Sequence, residues 1–196
     1  MVDSTQKSQA ITELRKRLYS IICGLLSGGI DAFLIESIYD FMNLKITLET
    51  ILQIQNEKNL NIPIYFSSTI DEEGNILSGE TLNQLYDKII AHYPNPSGFG
   101  INCCSGIKML EKKCAEVFEN LAKIIKCPLI IYPSAGLPDN LGNYSEDPQL
   151  FSNSMKNIVE KLLKFNPKLT FIIGGCCGTT PDHIKALKDV FFLKSE

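Results

Sequence analysis

Short apolar runs alternate along this chain with longer segments in which apolar residues recur every three or four positions. The short runs are apolar at successive positions, as in parallel strands that are buried on both faces. They predict five strands, at residues 32–36, 64–70, 98–104, 129–132 and 169–175. The longer segments have the period of amphipathic helices. They predict helices at residues 8–26, 41–55, 81–92, 107–125 and 148–165, and a last helix from Pro181.

The alternation of strand and helix predicts an α/β fold with a repeat of roughly 30–40 residues, the size of one βα unit. No composition shift or linker divides residues 1–196, which we therefore interpret as one domain. Two architectures fit this pattern: an open doubly wound sheet and a (β/α)₈ barrel. In both, ligands bind at the carboxyl ends of the strands.

Composition narrows the range of functions. The net charge is −3, and no long charged run is present, which argues against nucleic acid or an anionic membrane as a partner. The first residues lack the apolar segment of a signal peptide, and no apolar run approaches the ~20 residues of a membrane helix. We therefore expect a cytoplasmic protein. In that compartment, the seven cysteines indicate metal-binding or catalytic thiols rather than disulfides.

The most informative stretch follows the fifth predicted strand, where Cys176 and Cys177 are adjacent and glycines precede and follow them. A helix then begins, with Pro181 at its first position. Neighbouring side chains on a regular strand point to opposite faces. Both sulfurs can reach one metal only if the backbone leaves strand geometry, which glycines permit. We interpret this stretch as a metal site at the end of a strand.

The third predicted strand also ends in thiols, at Cys103 and Cys104. One of these with Cys176 and Cys177 gives three thiolates and an open fourth position, the pattern of a catalytic zinc site; all four would make a closed structural site. Soft thiolates favour zinc, followed by copper(I) and iron–sulfur clusters. Two other interpretations are buried apolar cysteines and a redox pair, although adjacent cysteines form strained disulfides.

A zinc ion with three thiolate ligands is suited to bind an incoming thiol and keep it deprotonated, since a free thiol is mostly protonated at neutral pH. The chemistry expected of such a site is alkyl transfer to a thiol. Glu36, at the end of the first predicted strand, is placed to bind the ammonium group of an amino-acid thiol. An ion pair or a helix cap is the alternative role for Glu36. His183 is either a hydrogen-bond donor near the cysteines or a packing and capping residue.

The segment Gly-Gly-Cys-Cys-Gly-Thr-Thr-Pro-Asp-His-Ile at residues 174–184 resembles the signature of homocysteine S-methyltransferases. Its resemblance is strongest to the homocysteine-binding module of cobalamin-dependent methionine synthase. The support extends over most of the chain: residues 31–40, 68–79, 100–103 and 133–138 resemble the family's fourth, fifth, sixth and seventh strands with their loops.

The resemblance implies a TIM-barrel type (β/α)₈ fold, of which this chain carries the last five βα units, strands 4–8. It implies zinc held by Cys103, Cys176 and Cys177, with homocysteine as substrate and methionine as product. Glu36, Asn102 and Ser134 are then expected to form the substrate-binding site. The methyl donor stays open between methylcobalamin, betaine and S-methylmethionine; the resemblance favours methylcobalamin, bound elsewhere.

Two departures from the family pattern affect these expectations. Ser134 stands where the family usually has asparagine. The family's first three strands have no counterpart, and five strands cannot close an eight-stranded barrel. The two edge strands would be unpaired, so we expect that a longer protein, a partner chain or self-association covers them, or that the fold has rearranged. The alternative function is an inactive remnant that retains zinc and acts as a binding module.

Overall fold

The computed structural model describes residues 4–192, which form strands and helices in strict alternation. The strands are β1 (Phe33–Ile38), β2 (Ile64–Ser68), β3 (Gly98–Cys103), β4 (Leu129–Pro133) and β5 (Phe171–Ile173). The helices are α1 (Ser4–Ser27), α2 (Phe41–Glu57), α3 (Leu82–His92), α4 (Ile107–Ile124), α5 (Pro148–Phe165) and α6 (Pro181–Phe192). None of these helices is long and apolar enough to span a membrane.

The five strands form one parallel sheet in the order β1-β2-β3-β4-β5. A doubly wound sheet reverses its strand order at a switch point, whereas strands added in chain order form the arc of a barrel. The consecutive order therefore decides between the two predicted architectures. The prediction of five units of a (β/α) barrel is confirmed, and the sheet is open at β1 and β5.

The five predicted strands lie where the structure has them, within one or two residues at most ends: β1 continues two residues past the predicted end at Glu36, and β2 stops two residues early. Strand β5 is markedly shorter than predicted. The sequence predicts strand over residues 169–175, but only Phe171–Ile173 is extended. At the start, the backbone N–H of Leu169 donates to Asn166 O, so Leu169 belongs to a turn after α5 and not to the strand. At the end, the strand stops before the glycines that precede Cys176.

The helix starts follow from side-chain caps. Asp40 accepts a hydrogen bond from the backbone N–H of Asn43 at the start of α2. Thr81 and Gln84 form a capping box at α3, and Asp147 caps α5 ahead of a proline. Each cap satisfies backbone donors that the first helical turn leaves free. These caps explain why the predicted starts of α2, α3 and α5 agree closely with the observed ones, whereas α1 starts four residues earlier than predicted and α4 has no side-chain cap.

One face of the sheet is fully buried along the central strands. Pairing in register places one set of strand side chains on the face that the helices cover, which we call the outer face. This set is fully buried and consists of Phe66, Phe99, Ile101, Leu129 and Ile131. Burying a large apolar side chain stabilises a fold by about 1.5–3 kcal/mol, so this layer is the core.

The opposite face, which we call the inner face, is less covered. Leu34 on β1 is 44% exposed, and Tyr65, Tyr132 and Ile172 are half-buried. The side chains of Tyr65 and Ile172, with that of Ile130, lie over Gly98, where an added Cβ would be 2.8 Å from the Tyr65 ring and 3.3 Å from each isoleucine. In a closed barrel this face lines the interior, and here it stays open.

Gly100 lets β3 approach β4 closely. A Cβ at Gly100 would lie 1.9 Å from the carbonyl oxygen of Ile130, its partner in register. We expect Gly100→Ala to lower the free energy of unfolding by about 2 kcal/mol or more, because backbone must move. The matched control is Gly24→Ala, on an exposed face of α1 with nothing within 4 Å of the added Cβ. It should raise stability by about 0.5–1 kcal/mol. Chemical denaturation measures both, and equal effects would contradict the explanation.

Candidate metal and substrate site

Three cysteine sulfurs meet at the carboxyl ends of β3 and β5. The Sγ atom of Cys103 lies 2.6 Å from that of Cys176 and 3.4 Å from that of Cys177. The sulfurs of Cys176 and Cys177 are 3.9 Å apart. Among the described residues, these are the His, Cys, Asp or Glu side chains that cluster closely enough to share a metal.

The backbone leaves strand geometry at both cysteine segments. After β5, the chain turns through Cys177 and Gly178, which has a φ of +76°. At the end of β3, Cys103 and Cys104 have φ values of +56° and +53° without being glycines. Left-handed backbone at such residues is uncommon and persists only where the surroundings enforce it. The turn after β5 brings the adjacent sulfurs of Cys176 and Cys177 to one side.

The end of β4 joins the two cysteine segments through backbone hydrogen bonds. The N–H of Ser134 donates to Cys103 O at 3.0 Å. The N–H of Ala135 donates to Cys177 O, and the N–H of Cys176 donates to Pro133 O, both at 2.9 Å. Because these bonds belong to main chain, they fix the spacing of the cysteines independently of any side-chain rotamer.

The donor set fits zinc. A tetrahedral zinc with Zn–S bonds of about 2.3 Å has sulfurs about 3.8 Å apart. The Cys177 sulfur lies close to that distance from both others, while the Cys103–Cys176 pair is closer and would have to separate around an ion. Three thiols with no fourth protein ligand leave one coordination position for a substrate.

Cys104 does not join the cluster, although its backbone turns with that of Cys103. Its sulfur is directed to the core, where the side chain packs, and its N–H donates to Thr69 Oγ1. Burial raises the pKa of the Cys104 thiol to about 12. Of the two neighbours that the sequence left as alternatives, Cys103 is the one beside Cys176 and Cys177.

The clustered thiols differ in acidity. Burial and the hydrogen bond with Cys176 raise the pKa of Cys103 to about 12. The hydrogen bond with Cys103 lowers the pKa of Cys177, and hydrogen bonds with Cys176 and Tyr144 act in the same direction. Cys177 is also exposed. In the metal-free chain, Cys177 is therefore more acidic than Cys103.

Glu36 lies on β1, two strands from Cys103, with its carboxylate exposed. Its negative charge, after burial, is a cause of the raised pKa of Tyr132, whose ring lies on the inner face. The carboxylate is therefore close enough to the inner face to act on a group there. Among the described residues, Glu36 forms no salt bridge, so the ion-pair alternative is not observed there. Its role in substrate binding stays a prediction.

Asn102 and Ser134 are buried next to the cysteines. The Asn102 amide bonds to Ser37 and Ser67. The Ser134 hydroxyl lies 2.9 Å from Gly136 O and 3.2 Å from Cys104 O, both of which accept hydrogen bonds. Both side chains thus bind neighbouring protein groups. Direct contact of either residue with a substrate stays a prediction.

Sequence reasoning missed Tyr144, in the loop between β4 and α5. The ring of Tyr144 covers Gly178, where an added Cβ would lie 2.2 Å from the ring's Cγ atom. Gly178 is thus required both for its left-handed backbone and for this contact. The unusual length of the loop was the signal in the sequence, since long loops in βα repeats are often functional.

His183 holds the same loop against the start of α6. The backbone N–H of Thr180 donates to its Nδ1, so the ring proton is on Nε2, which donates to Glu146 O at 3.0 Å. The Glu146 carboxylate in turn pairs with Lys108 at 3.1 Å. His183 is 4% exposed and packs edge-on against Phe151. Of the two roles that the sequence left open for His183, packing and capping describe its contacts.

Comparison with known proteins agrees with this arrangement. The model of the homocysteine S-methyltransferase family matches residues 2–191, nearly the whole chain. The chain belongs to the homocysteine S-methyltransferase family. Its fold is similar to that of the homocysteine methyltransferase MmuM from Escherichia coli in its apo crystal structure, with a TM-score of 0.65 and 23% sequence identity. The match covers 92% of this family member and 57% of the MmuM chain, so the chain spans little more than half of that protein's length.

The acidity difference predicts an order of alkylation in the metal-free chain. Alkylation follows the thiolate fraction. At neutral pH, we expect iodoacetamide to modify Cys177 before Cys103 and Cys104. The Cys177 rate should level off at a pH below the ordinary thiol value of 9.0, because its pKa is lowered. The rates of Cys103 and Cys104 should still rise up to about pH 12. Peptide mass spectrometry at early times gives the rates; equal initial rates at neutral pH would refute this order.

Proposed function

We propose that this chain carries out, as an enzyme or as part of one, zinc-dependent methyl transfer to the thiol of homocysteine, giving methionine. The observation that carries the proposal is the cluster of Cys103, Cys176 and Cys177 sulfurs at the strand ends. Membership of the homocysteine S-methyltransferase family supports the reaction and the substrate.

In this proposal, Cys103, Cys176 and Cys177 hold the metal through their thiolates. Bound zinc supplies a positive centre that keeps the substrate thiol deprotonated and nucleophilic near neutral pH. The Cys177 side chain is exposed, so the substrate thiol has access to the cluster from solvent. The backbone bonds from β4 hold the two cysteine segments in place before any ligand arrives.

Glu36 is proposed to bind the ammonium group of homocysteine, since its carboxylate is exposed and lies near the inner face. Asn102 and Ser134 are proposed to belong to the substrate-binding site as well. Their hydrogen bonds to Ser37 and to the Cys104 carbonyl oxygen hold the backbone around that site. The Ser134 hydroxyl bonds to backbone carbonyl oxygens of the neighbouring loops, which explains how a short hydroxyl side chain is accommodated at this position.

The proposed setting is the cytoplasm, where reduced thiols remain available for metal binding. The proposed methyl donor is methylcobalamin bound to another domain or protein. Betaine and S-methylmethionine are the alternatives, and an assay with all three donors separates them.

A second candidate is a module that binds zinc without turning over. The observation that favours it is the open inner face, where Leu34 is 44% exposed and half-buried tyrosines line what would be a barrel interior. A reaction centre gains from exclusion of water, which this face by itself does not provide. The two candidates share the metal site and differ in turnover.

We also propose that a partner chain or a second copy of this chain covers the open edges. Strand β5 pairs on one side only, and beside it Ile184 and Phe192 of α6 are 49% and 80% exposed. On the other edge, Leu34 is exposed on β1. Unpaired strand edges with apolar neighbours favour association.

The test of the metal site is zinc content after purification, with a matched pair of variants. We expect about one zinc per wild-type chain. Cys176→Ser should lose most of the zinc, because it removes a clustered sulfur. Cys104→Ser makes the same chemical change next to the cluster and should retain the metal.

Methyl transfer from each of the three donors to homocysteine is then measured on the same samples. Turnover that Cys176→Ser abolishes supports the enzyme. Zinc without turnover under all donors supports the binding module instead. Unchanged zinc and unchanged activity in Cys176→Ser would refute the assignment.

Self-association predicts a mass in solution of at least two chains by light scattering. Leu34→Lys should shift the protein toward one chain, because it places a charge on the open inner face. Leu150→Lys is the matched control, since Leu150 is similarly exposed, at 53%, but lies on the helix α5 rather than on an edge strand. A wild-type monomer at micromolar concentration would contradict self-association and leave a separate partner chain.

A further inference from the structure

The amide of Asn102 connects three strands. Its Oδ1 atom accepts hydrogen bonds from the Ser37 N–H at 3.1 Å and from the Ser67 hydroxyl at 3.0 Å. Its Nδ2 group donates to Ser37 Oγ at 2.9 Å. The side chain is fully buried. The Asn102 side chain therefore extends across β2 and forms two hydrogen bonds with Ser37 of β1.

Strand β1 is irregular around Ser37. The register between β1 and β2 shifts between Ile35 and Ile38, and Ser37 has a φ of +57°. Left-handed backbone at a residue other than glycine is unfavourable and needs support from its surroundings. The two hydrogen bonds from Asn102 supply that support, because one holds the N–H of Ser37 and the other holds its hydroxyl.

The sequence neighbours of these two residues are the proposed functional groups. Glu36 precedes Ser37, and Cys103 follows Asn102, also with left-handed backbone. We infer that Asn102 is a positioning residue: through Ser37 it fixes where the Glu36 carboxylate stands relative to the metal cysteine Cys103. The inference rests on the proposed function of Glu36 and Cys103. In this role Asn102 acts on the substrate without touching it.

The position of Glu36 matters because homocysteine is short. Its thiol and ammonium group must reach the metal and the carboxylate at the same time, so a displaced strand end loses one of the two contacts. A buried amide whose partners are removed also loses its own orientation. Loss of the Asn102–Ser37 bonds should therefore weaken recognition of the amino group and leave binding of the thiol intact.

The experiment separates these two contacts with cobalt(II)-substituted protein, whose absorption reports thiol binding. Each variant is titrated with L-homocysteine and with 4-mercaptobutanoate, which has the same chain and carboxylate but lacks the amino group. The ratio of the two dissociation constants measures recognition of the ammonium group. Wild type should prefer homocysteine by about tenfold or more, the range of a hydrogen bond to a charged group. Glu36→Gln should remove most of this preference.

Asn102→Ala should lower the preference as Glu36→Gln does, with binding of 4-mercaptobutanoate unchanged within about twofold. Ser37→Ala removes the Oγ acceptor alone and gives a milder loss, and it decides the question if Asn102→Ala does not fold. Ser152→Ala is the matched control. It removes another fully buried hydroxyl, which bonds to Gln149 O in α5, and should keep the wild-type preference.

Three results would overturn the inference. An unchanged preference in Asn102→Ala and Ser37→Ala would show that Asn102 does not position Glu36. Equal weakening of both thiols would show a general structural role. Absence of any thiol binding in wild type would refute the proposed function itself, and the inference with it. The wild-type titration alone reveals this outcome, so it is distinguishable from the other two.

Discussion

The structure depends on parallel pairing of the strands in chain order. Because each strand adds beside the previous one, all carboxyl ends reach the same edge, and residues far apart in sequence become neighbours there. Cys103 and Cys177 approach within 3.4 Å for this reason, although α4, β4, α5 and β5 lie between them in the chain. Asn102 on β3 also forms hydrogen bonds with Ser37 on β1, across β2.

At that edge, main-chain geometry positions the cysteines of the site. The sulfurs converge because the chain turns after β5 and adopts left-handed backbone at Cys103. Main-chain bonds from β4 then hold both cysteine segments. A site fixed by backbone is already organised before a metal binds, which lowers the cost of ordering its ligands. The Tyr144 ring on Gly178 adds a cover that depends on the absence of a side chain there.

The cysteine cluster and the inner face beside it differ in how much of their surroundings the described residues supply. The cysteines have their neighbours within the chain, whereas Leu34 and Tyr132 on the inner face remain partly exposed. The family membership and the 57% coverage of the MmuM chain agree with this difference. The cysteine cluster is therefore assembled within the described residues, whereas the inner face beside it is only partly covered by them.

The sequence by itself determined most of the local elements and the family, and it indicated a candidate chemistry. Apolar runs and helical periods placed the strands and helices, since burial imposes a period of its own on each. The pair at Cys176 and Cys177, flanked by glycines, indicated a metal site for the same local reason. Tertiary structure decided what depends on distance: the strand order, the choice of Cys103 over Cys104, and the neighbours of Asn102 and Tyr144. None of these leaves a periodic signal, because contacts between remote residues follow from the path of the whole chain.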